Sequence, residues 1–293
     1  GDGAELSQER VGFGAIFVRW AGAPGTVTAF YRMSVGAVVL TWPFARRTAR
    51  AWRTGALSRR ALHFAVAAGA FFAFDVALWA SGVMLSGPNT PTLLANTAPI
   101  WVGLGALVFL HERLRIGFWL GLALALVGAA IILRVDAQQS SAVGLGSLLG
   151  LVAALFYAGY FLVTQIARRA MDALSILWVA SVTASIILLS INLVLRRPLL
   201  GYALPAYASM FALGLLSQAI GWLAINHALG ILPASVVAPT MLGQPVMTVL
   251  LAIPLLGETL SPGQFAGACL VLVGVYIVHR NRARGAPRTP VQP

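Results

Sequence analysis

Of the eight acidic residues in this 293-residue sequence, only Asp75 lies well inside a long apolar run, and its deep basic counterpart is Arg32. An acid can bind an ammonium group or exchange a proton, whereas an arginine keeps its charge and serves only as an anion holder. Together the two match the ends of a zwitterion. Asn96, and Gln244 directly before Pro245, add hydrogen-bonding capacity inside apolar runs. Trp79, Trp101, Tyr157, Tyr160 and Trp222 lie away from the run ends and suit an apolar wall for an amphipathic solute. A plainer account covers the same residues, with Asp75 and Arg32 as a buried ion pair that fixes helix packing and the rings as core or lipid-facing side chains. Residue types and spacing leave both accounts open.

The elements that must position these side chains follow from composition. The chain is 59% hydrophobic and 10% charged, where soluble domains carry about a quarter charged residues. A mean hydropathy of +0.86 over the whole chain excludes a soluble domain with a single anchor. A hydrocarbon core about 30 Å thick needs roughly 20 apolar residues per helix. Segments 27–44, 61–85, 91–110, 116–134, 145–167, 173–195, 203–227, 234–256 and 262–279 meet that need. Val11–Ala21 reads as a tenth, shorter span behind the polar stretch Gly1–Arg10, and the opening Gly1 reads as a trimmed or processed start. The expected fold is therefore an all-α integral membrane protein of ten helices. At about 1.5 Å per residue, Asp75 stands roughly 22 Å and Arg32 roughly 21 Å from the cytoplasmic face, with Asn96 at a similar level and Trp101 nearer the middle.

Every basic residue is Arg, and the formal net charge is +12. The arginines cluster between and beyond apolar runs, so they report membrane orientation and not a nucleic-acid partner. Arg46, Arg47, Arg50, Arg53, Arg59 and Arg60, then Arg113, Arg115, Arg168 and Arg169, then Arg280, Arg282, Arg284 and Arg288 fall on one side, against Arg134, Arg196 and Arg197 on the other. Both termini are expected in the cytoplasm. Trp20, Trp42, Trp52, Trp119, Trp178 and Tyr202 lie near run ends, where interfacial belts form. Cys269, the single cysteine, reads as a packing residue, and His63, His111, His227 and His279 lie near span ends.

An internal repeat organises the chain. Placing residue n over n+146 pairs Pro99 with Pro245, Leu104 with Leu250, Leu110 with Leu256, Glu112 with Glu258, Leu114 with Leu260, Gly121 with Gly267, Gly128 with Gly274, Ile131 with Ile277 and Arg134 with Arg280, without a gap. Each half, 1–134 and 145–280, would hold five helices, leaving 281–293 as a cytoplasmic tail. An odd number of helices inverts the second copy, which sets a pseudo-two-fold axis in the membrane plane and a substrate site near the midplane. A proline frees the carbonyl one turn earlier, so Pro99 and Pro245 are expected to kink their helices there. Glu112 and Glu258, each just before a helix, are expected to complement its dipole.

The stretches LLANTAPIWVGLGALVFLHERL (93–114), VVAPTMLGQPVMTVLLAIPLLGETL (236–260) and GAIFVRWAGAPGTVTAFYRM (14–33) resemble the paired units of the EamA family in the drug/metabolite transporter superfamily. That resemblance, running from Val11 to Arg280, implies ten helices, cytoplasmic termini in a bacterial inner membrane, and transport of a small organic solute, most often outward. The polar first ten residues depart from the family's apolar start, and Gly257 stands where the first half has His111.

Other function classes lack their residues. His111–Glu112 has no following His at zincin spacing, and no G-x-S-x-G, P-loop or paired acidic cluster for Mg²⁺ occurs, which speaks against a membrane-embedded enzyme. An exchanger of phosphorylated or nucleotide sugars would need several deep cations, and only Arg32, with Arg19 near a span end, is available. The expectation is a secondary transporter, an exporter of a small amphipathic metabolite such as an amino acid. It would work by alternating access, with substrate bound by Arg32, Asp75, Asn96, Trp101, Gln244, Trp79 and Tyr157 and protons coupled through Asp75. The solute and the lipid bilayer are its expected partners, with no cofactor and no metal; the oligomeric state is not legible.

Overall fold

The computed structural model of the chain describes residues 23–53, 59–86, 89–132, 144–247, 250 and 261–281. Every regular element among them is helical, because in lipid a helix satisfies its own backbone N–H and C=O groups where water cannot. The order is α1 (Gly25–Arg53), α2 (Arg59–Ser86), α3 (Asn89–Ala95), α4 (Ala98–Phe109), α5 (Ile116–Ile132), α6 (Leu145–Ala167) and α7 (Ala173–Val194). Then come α8 (Leu204–Ala212), a π-helical segment (Leu213–Gly221), α9 (Trp222–Ala228), α10 (Ala234–Thr240), a 3₁₀ turn (Met241–Gly243) and α11 (Pro262–Arg280). Among the described residues six stretches are long and apolar enough to cross a bilayer: Arg59–Leu85, Pro91–Phe109, Leu145–Ala167, Ala173–Val194, Leu204–Ala228 and Pro262–Arg280. The shorter α5 is apolar too, and α1 is interrupted by Arg32 and Ser34. The expected span over Val11–Ala21 and the tail from residue 282 lie outside the described residues.

Several expectations are corrected. The helix expected to end at residue 44 continues to Arg53, because alanine and arginine are strong helix formers and cations favour a helix C-terminus. The continuous helix expected over 91–110 is two pieces, broken at Asn96–Thr97. Segment 234–256 is likewise broken at Met241–Gly243, its backbone helical again over 244–247. Span 203–227 changes from α to π and back. Cys269 is exposed, so it faces outward and is not a packing residue.

Three cores hold the helices, the smallest of them joining Ala61 and Ala65 of α2 to Ala167, Met171 and Ile176. The largest gathers Met33, Phe72, Tyr160, Phe161, Leu177 and Trp222; the second joins Phe118, Leu122, Val271 and Val278 of α5 and α11 to Leu242 and Val246. Without a hydrophobic drive between helices in lipid, close backbone approach through small residues does the joining. A Cβ on Gly121 would stand 2.7 Å from the carbonyl oxygen of Gly274, and one on Gly128 would stand 2.6 Å from that of Gly267. The contacts run antiparallel. They are also reciprocal in the sequence repeat, since Gly267 is the counterpart of Gly121 and Gly274 of Gly128.

His111 adopts φ 54°, a left-handed conformation that favours glycine and that His tolerates better than most residues. In the sequence repeat the corresponding residue is Gly257, which lies outside the described residues. This turn ends α4, lets the Glu112 N–H donate to the Ala106 carbonyl at 3.0 Å, and sets the direction of the Glu112 side chain.

Candidate functional site

Arg32 sits eight residues into α1 on the face that meets the π-helical segment. A Cβ on Gly214 would lie 2.4 Å from Val35 Cβ, and one on Gly36 would lie 2.5 Å from Gln218 Cγ, so two glycines draw these elements together. Wider π turns recur at functional sites, and here the segment, with α9, aligns Gln218, Trp222 and Asn226 at intervals of four. All three are buried, Gln218 and Asn226 completely.

Asp75, only 8% exposed, faces Arg32 from α2. Each lies in the other's electrostatic field, yet among the described residues no hydrogen bond or salt bridge joins them. The Arg32 guanidinium instead stands over the Phe72 ring, 5.7 Å from its centroid, within the reach of a cation–π contact. Tyr157 and Tyr160 of α6 share this field.

A cluster of aromatic rings, an aromatic box, packs beside the charged pair through Phe72. Trp222 contacts Phe72 at 4.5 Å, Tyr160 at 5.1 Å, Tyr157 at 5.9 Å and Phe161 at 6.3 Å between ring centroids, the range of offset and edge-on ring pairs. Asn226 Nδ2 donates to Tyr160 Oη at 2.7 Å and to the Trp222 carbonyl at 2.8 Å, and Gln218 Nε2 donates to Ser181 Oγ at 3.1 Å.

What remains unbonded is informative. Besides the hydroxyls of Thr28, Ser147 and Thr164, four groups among the described residues are buried without a partner, Arg32 Nε, Trp101 Nε1, Gln218 Oε1 and Asn226 Oδ1, and each unsatisfied group of this kind costs about 1–3 kcal/mol. Two are donors and two are acceptors. An interior that leaves both kinds open suits a ligand, or ordered water, that carries both.

Of the expected binding residues, Arg32, Asp75 and Tyr157 therefore come together, and Trp101 packs against the same core as Tyr157. Trp79, one turn from Asp75, has its Nε1 donating to Thr92 Oγ1 at 3.2 Å, tying α2 to α3. Asn96 is half-buried at the break between α3 and α4. Gln244 is exposed, with Nε2 3.8 Å from Met241 Sδ, and its neighbours Leu242 and Val246 belong to the second core. Pro99 follows the Asn96–Thr97 break by two residues, where Thr97 N–H bonds the Leu94 carbonyl at 3.0 Å. Pro245 follows the 3₁₀ turn, where Gln244 N–H takes the Met241 carbonyl that proline cannot reach.

Phe72 and Asn226 were not singled out in sequence. Asn226 sits next to the expected span end at residue 227, which disguised it as interfacial. The four-residue spacing from Gln218 through Trp222 was the signal that could have found it.

Glu112 differs from its expected role. Ser235 Oγ donates to Glu112 Oε2 at 2.5 Å and Gln165 Nε2 to Glu112 Oε1 at 3.3 Å, while Gln165 Oε1 accepts from Ala234 N–H at 2.7 Å. It ties the end of α4 to the end of α6 and the start of α10 rather than capping α5, because the left-handed turn at His111 redirects it.

Fold and site together define a helical integral membrane protein whose interior offers opposite charges and open hydrogen-bonding groups beside an aromatic box. The chain belongs to the EamA-like transporter family, whose family model matches residues 11–134 and 144–280. It is 26% identical over 69% of its length to the "Uncharacterized transporter YwfM" of Bacillus subtilis, spanning 68% of that protein. It is 30% identical to a "Probable amino-acid metabolite efflux pump" of Salmonella typhimurium over 60% of this chain and 62% of that one. To a "Probable terminal-alkyne amino-acid exporter" of Streptantibioticus cattleyicolor it is 27% identical over 66% of this chain and 64% of that one. A solved crystal structure superposes with a TM-score of 0.73 at 16% identity, over 90% of this chain and 91% of that one, which shows a shared fold.

Proposed function

We propose that this protein is a secondary exporter of small amphipathic zwitterions, amino acids with apolar side chains, held between Arg32 and Asp75 beside the aromatic box. The observation that carries the reading is the unbridged pair: Arg32 and Asp75 lie in each other's field without bonding, in an interior that leaves two donors and two acceptors open. A carboxylate on Arg32 and Trp101, an ammonium on Asp75 and Asn226, and an apolar side chain against Phe72, Tyr157 and Trp222 would use three of the four, Arg32 Nε, Trp101 Nε1 and Asn226 Oδ1. Asp75 also serves as the proton-coupling group, since Arg32 keeps its charge. The two relatives with amino-acid substrates in their names support the substrate class.

Alternating access follows from ten helices in two inverted five-helix repeats, 1–134 and 145–280, in a bacterial inner membrane with both termini in the cytoplasm. The reciprocal, antiparallel glycine contacts of α5 and α11 support it, because a contact between i and the mate of j that recurs between j and the mate of i is the signature of a two-fold axis. Breaks at Asn96–Thr97 and Met241–Gly243, at matching repeat positions, support paired discontinuous helices.

The test is purified protein in liposomes, screened by thermal shift and counterflow against amino acids, amines and sugars. Apolar amino acids are expected to raise the melting temperature and sustain counterflow, whereas the matching amines, which lack the carboxylate, do neither. Counterflow by amines or sugars with none by amino acids overturns the reading.

A further inference from the structure

Away from the Arg32 cluster, a cavity of about 730 Å³ lies between α1, α7 and α9 toward the ends that carry Arg46, Asp172 and His227. α1 packs on α7 and on the π-helical segment, whereas α9, which continues that segment, packs on α7 and not closely on α1. The two helices therefore splay, and the start of α7 forms the floor between them. Leu40, Leu174 and Leu223 give the cavity an apolar wall, Arg168 and Asp172 bring opposite charges to it, and Ala224 stands at its exposed edge. Its volume lies within the roughly 300–1,000 Å³ of small-molecule sites.

Both charged groups are held in place and keep bonding capacity. Arg168 donates from Nε to the Asn226 carbonyl at 2.9 Å and from Nη1 to the Met171 carbonyl at 2.5 Å, two of the five donors in its fork. Asp172 accepts the N–H groups of Leu174 and Ser175 and the Ser175 hydroxyl. One cation, one anion and an apolar wall restate the chemistry of Arg32, Asp75 and their rings. The two places also adjoin one core: Leu174 and Leu40 belong to the same cluster as Phe72 and Trp222. Asn226, whose backbone carbonyl Arg168 holds, bonds Tyr160 in the inner cluster.

We propose that this cavity is a cytoplasmic loading subsite for the same zwitterionic solute. The solute's carboxylate rests on Arg168, its ammonium on Asp172 and its apolar part on Leu40, Leu174 and Leu223, before it moves along α1 and α9 to Arg32 and Asp75. This rests on the zwitterion reading and adds a second, earlier stop. A zwitterionic phospholipid headgroup shares the chemistry, so the experiment separates the two sources.

Ala224→Trp would fill the cavity from its edge without touching either charged group. In proteoliposomes of defined orientation, the KM for radiolabelled leucine presented to the cytoplasmic face is expected to rise about tenfold, while the KM from the opposite face stays as in wild type. Ala224→Leu should give a smaller rise in the same direction. Ile220→Trp, one turn earlier on the same exposed face and outside the cavity, should leave both unchanged. An unchanged KM in Ala224→Trp, or an equal rise on both faces, overturns the subsite. A rise that disappears in vesicles without phosphatidylethanolamine assigns the cavity to lipid and overturns it as well. Failure of the parent reading looks different: Arg32→Gln and Asp75→Asn would then transport leucine normally, whatever Ala224→Trp does.

Discussion

Asp75→Asn keeps the shape of the side chain and removes its charge, so its effects on folding and on transport can be separated. A unit charge inside a span costs about 2.5–3.5 kcal/mol on insertion scales, which the Asn side chain largely avoids. Against this stands the lost attraction to Arg32. Two unit charges at about 4 Å attract by about 4 kcal/mol at an effective dielectric of about 20, and no salt bridge joins these two, so the loss lies below that. Gain and loss nearly cancel, and the melting temperature should move by only a few degrees. Transport has no such compensation. An ammonium that loses a charged hydrogen-bond partner forfeits about 1.5–3 kcal/mol, which at about 1.36 kcal/mol per factor of ten weakens binding roughly 10- to 150-fold. Counterflow at fixed pH should show that rise in half-saturating concentration, and flux driven by a pH gradient should vanish. If Asp75→Asn transports like wild type at every pH and only melts lower, the pair is structural and the assignment of the site falls.

The remaining expectations concern packing and topology. Gly121→Ala would drive a Cβ to 2.7 Å from the Gly274 carbonyl oxygen and should cost about 1–3 kcal/mol. Gly263→Ala, with nothing within 4 Å, should be neutral or stabilising by about 0.4–1 kcal/mol; equal melting temperatures would refute the close joint of α5 and α11. Glu112→Ala removes the acceptor of Ser235 and Gln165 and should lower stability by about 1–3 kcal/mol, with Glu112→Gln retaining more than half; identical thermal melts for the two variants would show that the charge matters and the bonding geometry does not. Single cysteines at Ser58 and Ser86 should label from the cytoplasmic and the outer face respectively, and labelling of both from outside intact cells would refute the topology.

How far the sequence reached depends on whether a property is carried by composition or by packing. Membrane residence was legible because apolar content and arginine placement act residue by residue, and most helix ends fell near their expected places for the same reason. The charged pair was legible too, since a lone acid and a lone deep arginine are conspicuous by type. What the sequence by itself could not express is which faces meet. The π turns that bring Gln218 against α1 and Trp222 and Asn226 against the rings of α2 and α6 depend on Gly36 and Gly214 admitting close contact, and that is settled only when both helices are present. Whether Asp75 and Arg32 bond is likewise a matter of distances, and the fold holds them apart with Phe72 beneath the guanidinium. Glu112 makes the same point: its position before a helix suggested a local cap. The left-handed turn at His111 sends it instead to Ser235, 123 residues away, because a side chain bonds the partner that tertiary packing brings within reach.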